Sequence, residues 1–296
     1  SITAENEMKF ESLHPLEDIY NFKLADQLVA FARKHHMAMR GHTLVWHNQT
    51  TDWLFEDKKG GPVSKEALLA RLKSHIQTVV GRYKEDIYAW DVVNEVIADE
   101  GEELLRQSKW LDIVGPEFIG KAFEFAHEAD PKALLFYNDY NESNPLKRDK
   151  IYKMVKSLLE QEVPIHGVGL QAHWNLYDPD LDEIRAAIKK YASLGLQLQL
   201  TELDVSMFRF DDKRMDLKVA PAELLELQAE RYEAMFALLK EYRDVISSVT
   251  FWGAADDYTW LDGFPVRGRK NWPFLFDEQH NPKPAYHQLL NAVTKS

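Results

Sequence analysis

The chain has 296 residues, 45% of them hydrophobic, which is ample for one large core or two ordinary ones. It contains 36 basic and 48 acidic side chains, a net charge of −12, which argues against nucleic acid or an anionic membrane as partner. There is no cysteine, so disulfide and thiolate chemistry are excluded, and no run of about 18 apolar residues that would span a membrane.

In chain order, short apolar segments alternate with amphipathic ones. Strands are predicted at residues 1–4, 38–46, 87–94, 133–138, 167–172, 196–201 and 248–252. Helices are predicted at 66–83, where Leu68, Leu69, Leu72, Ile76, Val79 and Val80 recur at helical spacing, and at 117–128, 145–161, 181–194 and 221–242. The last of these opens on Pro221, which the first turn of a helix tolerates. The run Lys147-Arg148-Asp149-Lys150 reads as a solvated helix face, and Asp256 and Asp257 as loop caps.

Strands that are apolar nearly throughout, each followed by a helix, indicate a parallel sheet covered by helices. Polar residues cluster just after these strands: His42 and His47, Asn94 and Glu95, Asn138 and Asp139, Gln171 and His173, Glu202 and Asp204, and residues 252–257. Chemistry shared among nearly all strand C-termini is the mark of a closed α/β barrel rather than of a single crevice in an open sheet. The expected fold is therefore a (β/α)8 TIM barrel, one catalytic domain over residues 1–296. Seven strand–helix units are legible, so the first βα unit is expected to be missing from this chain. The opening residues carry no basic stretch followed by an apolar one, so no signal peptide is expected in the chain as it stands.

Glu95 and Glu202 each follow a run that reads as a buried strand. A carboxylate is costly there unless paired or used, because desolvation opposes its charge. Two such groups suggest an acid/base pair of the kind that cleaves glycosidic bonds. The strand period of 2 places Glu202 and Asp204 on one side, and Gln171 and His173 on one side. A histidine between two carboxylates can hold Glu202 charged and oriented. His42 and His47 lack a third ligand at suitable spacing and no HExxH is present, so no metal and no cofactor is expected.

Three segments together are specific: Thr3-Ala4-Glu5-Asn6-Glu7-Met8-Lys9, Gly41-His42-Thr43-Leu44-Val45-Trp46-His47 and Trp90-Asp91-Val92-Val93-Asn94-Glu95. With Thr201-Glu202-Leu203-Asp204 and Phe251-Trp252-Gly253 in the same order, the chain resembles glycoside hydrolase family 10, the retaining xylanases, from residue 1 to its end. It is most similar to the non-secreted bacterial branch acting on xylo-oligosaccharides, which implies a cytoplasmic rather than secreted location. The resemblance implies that Glu95 is the general acid/base and Glu202 the nucleophile, supported by His173, Asp204, Gln171 and by Asn94, which contacts the sugar 2-hydroxyl. It implies substrate contacts at Glu5, Asn6, Lys9, His42, Trp46, Gln49, Trp252 and Trp260; Asn138 is expected toward the leaving group. The expected reaction is retaining hydrolysis of internal β-1,4-xylosidic bonds in xylan and xylo-oligosaccharides, with the two carboxyls about 5–5.5 Å apart. Another retaining β-1,4-glycanase, of cellulase or mannanase type, and a non-catalytic carbohydrate-binding barrel are the alternatives.

Overall fold

The structure is a computed structural model describing residues 1–294. The chain divides into two compact units, Ser1–Asp139 with Leu146–Gly169, and Tyr140–Pro145 with the chain from Leu170 onward.

The first unit is built on parallel strands β1 (Ile2–Thr3), β2 (Met39–Val45), β3 (Ile87–Asn94) and β4 (Leu134–Asp139), each hydrogen-bonded to the next in chain order. Helices α1 (Phe10–Leu13) and α2 (Lys23–Lys34) join β1 to β2, and α3 (Lys65–Tyr83) joins β2 to β3. Helices α4 (Lys109–Val114) and α5 (Glu117–Ala129) lead to β4, and α6 (Pro145–Glu160) precedes β5 (Gly167–Leu170). The ends are capped as their sequences require: Ser64 accepts from the Ala67 amide and Ser108 from the Leu111 amide, each at 3.2 Å, satisfying donors that a first turn leaves open. The register sets Gly41 beside Trp90, His42 beside Asp91 and Asn94 beside Asn138. β2 is buried at every position, as expected of a strand in a parallel sheet.

The second unit centres on β7 (Gln197–Ser206), flanked by parallel β6 (His173–Asn175) and β8 (Ile246–Phe251). Helices α7 (Leu181–Ala192), α8 (Ala222–Glu241) and α9 (Pro284–Thr294) complete it. α7 begins with a capping box in which Asp180 accepts from the Glu183 amide and Glu183 answers to the Asp180 amide. Pro221 is the residue before α8 rather than its first helical residue.

Three expectations need correction. The strand predicted at 167–172 stops at Leu170 and resumes at His173, because Ala172 adopts φ 59°, outside any strand conformation. The strand predicted to end at Thr201 runs on through Ser206, buried beyond its first residue, so Glu202 and Asp204 lie within β7 rather than after it. The Lys147–Lys150 stretch is not a solvated face: Lys147 is 1% exposed and Lys150 8%, because acidic and carbonyl oxygens meet both ammonium groups. Helices α2 and α4 were not predicted.

Candidate active site

In the first unit, β3 delivers Asn94 and Glu95. The Glu95 amide donates to the Asn138 carbonyl at 2.9 Å, which continues the ladder one step past the strand. Glu95 itself takes φ 58°, a left-handed conformation that costs a non-glycine residue on the order of 1 kcal/mol or more. Such backbone persists only where surrounding contacts fix it. One is the Trp46 indole, whose Nε1 donates to Glu95 Oε2 at 2.8 Å. Trp46 is in turn seated by Trp110, which donates to its carbonyl at 2.9 Å. Asn138 donates from Nδ2 to Asn94 Oδ1 at 2.9 Å, so the residue expected toward the leaving group supports Asn94 directly.

The segment after β1 brings Asn6, Lys9 and Gln49 together. Asn6 Oδ1 accepts from Lys9 Nζ at 3.1 Å and from Gln49 Nε2 at 3.3 Å. Lys9 Nζ also lies 4.9 Å from the Trp46 ring centroid, a cation–π contact that ties this cluster to the Glu95 partner. Glu5 is half-buried in the same segment. His42 faces inward: its Nδ1 donates to Asp91 Oδ2 at 3.0 Å, and Arg40 pairs with the same carboxylate. Burial works against the Asp91 charge, but the Arg40 guanidinium and the His42 ring outweigh it and hold the carboxyl below its usual range. This Arg40–Asp91 pair was not anticipated, because an arginine inside an apolar strand announces no partner in sequence.

In the second unit, His173 stands between the two acids of β7. Its Nδ1 lies 2.9 Å from Asp204 Oδ2 and its Nε2 3.2 Å from Glu202 Oε2. The cross-strand register, His173 opposite Asp204, produces this arrangement. Burial opposes a charged imidazole, yet the flanking Asp204 and Glu202 raise it to about 10, so His173 is an imidazolium donating both N–H groups. Trp260 donates from Nε1 to Asp204 Oδ2 at 2.8 Å and meets the His173 ring edge-on, with centroids 4.8 Å apart. Gln171 accepts the Glu202 amide at its carbonyl, at 3.1 Å, and its side chain is buried. Trp252 is buried at the end of β8, its amide donating to Leu203. Glu202 is 4% exposed and Glu95 9%, so both acids are largely withdrawn from bulk water.

Asp256 is a structural pin rather than a reacting acid. It accepts from the Phe274 amide at 2.8 Å and from Lys283 Nζ at 2.7 Å. Asp257 is exposed and pairs with His280.

Each unit thus holds one buried carboxylate at or within a parallel strand, Glu95 under an indole N–H and Glu202 under an imidazolium. The chain belongs to glycosyl hydrolase family 10, whose sequence profile matches residues 1–292. It has that family's fold, the (β/α)8 barrel. It is 62% identical over 291 residues to an endo-1,4-beta-xylanase of Geobacillus stearothermophilus, covering 98% of this chain and 88% of that one. It is 59% identical over 290 residues to endo-1,4-beta-xylanase B of Paenibacillus barcinonensis, covering 98% and 87%. The crystal structure of xylanase XynB from Paenibacillus barcinonensis, complexed with a conduramine derivative, superimposes with a TM-score of 0.96 over 97% of this chain and 87% of that chain, at 59% identity.

Proposed function

We propose that this chain is a retaining endo-1,4-β-xylanase that hydrolyses internal bonds of xylan and xylo-oligosaccharides through a covalent glycosyl-enzyme. The observation that carries the reading is identity of about three residues in five to endo-1,4-beta-xylanases across 98% of the chain, with family 10 membership.

In this reading Glu202 attacks the anomeric carbon and Glu95 protonates the departing glycosidic oxygen. Glu95 then takes a proton from the water that releases the sugar, and two inversions give net retention. The local contacts support these roles. The His173 imidazolium bound to Glu202 Oε2 favours the ionised nucleophile and fixes its carboxyl plane. The Trp46 N–H donates to Glu95 Oε2 and so helps to orient the carboxyl that transfers the proton. Asn94, held by Asn138, is the group assigned to the sugar 2-hydroxyl, a contact that strengthens in the transition state. Glu5, Asn6, Lys9, His42, Trp46 and Gln49 are assigned to the non-reducing side of the cut, and Trp252 and Trp260 to the walls around it.

The test is the anomeric configuration of the first product, followed by proton NMR during hydrolysis of xylohexaose. The β-anomer should appear first and mutarotate later. First appearance of the α-anomer would make the enzyme inverting and overturn the double displacement. Comparison of aryl β-xyloside with aryl β-glucoside, with the xyloside strongly preferred, tests the sugar.

A further inference from the structure

The segment that follows Glu95 is a tight excursion, residues 96–106, closed on itself. Ala98 donates to the Leu104 carbonyl at 3.1 Å and Arg106 to the Val96 carbonyl at 2.7 Å. Two lysines of α6 reach into it. Lys147 Nζ donates to Asp99 Oδ1 at 2.6 Å and lies 2.9 Å from Asp139 Oδ1. Lys150 Nζ donates to the carbonyls of Ala98, at 3.2 Å, and Glu100, at 3.1 Å. Asp99 also accepts from Arg106 Nη2 at 2.7 Å, and Arg106 Nε donates to the Glu95 carbonyl at 3.1 Å. A continuous chain of charged contacts therefore runs from Asp139 through Lys147, Asp99 and Arg106 to the backbone of Glu95.

A buried lysine is costly, and buried ion pairs seldom add net stability over apolar side chains of equal volume. Their best-supported use is to specify one arrangement. What this arrangement specifies is the peptide of Glu95, which sits at φ 58° and has its carbonyl gripped by Arg106. We propose that Lys147, Asp99 and Arg106 are positioning residues for Glu95, a clamp anchored in α6 that aims its carboxyl for proton transfer. The clamp rests on the reading of Glu95 as the acid/base. At the far end of the clamp, burial pushes the Asp139 carboxyl up to about 6, with Lys147 opposing and the Glu95 charge adding to the rise.

A misaimed general acid slows only bond cleavage that needs a proton. The experiment compares kcat/KM, which reports the first chemical step, on 2,4-dinitrophenyl and phenyl β-xylobiosides. Asp99→Asn and Arg106→Gln should each lower the phenyl rate about 10–100-fold while the dinitrophenyl rate changes little. Lys147→Met should behave alike, and Lys147→Arg should restore much of the loss. If Lys147→Met fails to fold, the other two, whose side chains are 33% and 23% exposed, carry the test. Equal losses on both leaving groups, or no loss on either, overturn the clamp. Glu95→Ala, run in parallel, separates the two claims: without its own leaving-group dependence the acid/base reading fails, whereas with it a flat response of the clamp variants defeats the clamp alone.

Discussion

Asp204 Oδ2 accepts from His173 Nδ1 at 2.9 Å, and together with Glu202 it keeps charged the imidazole that holds the Glu202 carboxyl. The folded-state pKa of His173 is about 10 against an ordinary 6.5. A pKa raised by folding means the folded state binds the proton more tightly. The resulting stability is fully present below about 6.5 and is lost as pH rises through about 10. Melting temperature should therefore decline across that window. In Asp204→Asn the contribution is mostly removed, so the gap between the two proteins should be wide at pH 6 and narrow above pH 10. A gap that stays constant with pH would mean His173 is not held charged.

The two acids should separate by azide chemistry. Glu202→Ala should abolish turnover while the melting curve shows an intact fold. Glu95→Ala should lose about 10²–10⁴-fold on substrates needing protonation, yet stay measurable on an activated aryl xyloside. Azide should accelerate that variant and give a β-xylosyl azide, because the anion attacks the glycosyl-enzyme without needing a base. Absence of that product assigns the acid/base role elsewhere.

Much of the placement of the candidate site residues was legible because it coincides with strand logic. Glu95 and Glu202 stand out as acids ending apolar runs, and the period of 2 put Glu202 and Asp204 on one side even though β7 runs further than predicted. What faces His173 to them is the cross-strand register, since the strand expected to carry Gln171 and His173 breaks at Ala172. Lys147 was misread for the opposite reason. Helical periodicity assigns a charged run to solvent, and only folding shows that Asp99 and Asp139 await it. Helix α2 escaped notice because its buried positions are the modest Ala25, Val29 and Ala32, while the larger Leu24 and Phe31 are exposed. The break at Ala172 depends on a left-handed backbone at a residue type that gives no hint of one.

Lys283 and Asp256 form a buried pair, the ammonium also donating to the Trp272 carbonyl at 2.8 Å and the Phe274 carbonyl at 2.7 Å. Burial pushes the Asp256 carboxyl up to about 6 despite Lys283 beside it. Removing the cation alone strands a carboxylate and two carbonyls, so Lys283→Met should cost about 3–5 kcal/mol at neutral pH. The loss should shrink below pH 5, where Asp256 in the variant is neutral. Chemical denaturation at pH 4.5 and pH 8 measures both, and an equal loss at the two values would place the penalty in packing instead.

Gly41 lies in β2 directly beside Trp90 of β3, and a Cβ there would stand 2.1 Å from Trp90 Cε3. Trp90 is fully buried, so the indole has no room to retreat. Gly41→Ala should therefore destabilise by about 1–3 kcal/mol through overpacking, even though alanine suits a strand better than glycine. The cause is separable from any loss of backbone freedom by a double-mutant cycle with Trp90→Leu. Trp90→Leu alone should cost several kcal/mol by opening a cavity, on the order of 3–5. In its background Gly41→Ala should be close to neutral, since the ring it would strike is gone. Additive losses in thermal or urea unfolding would show that Gly41 is required by its own backbone rather than by the tryptophan across the ladder.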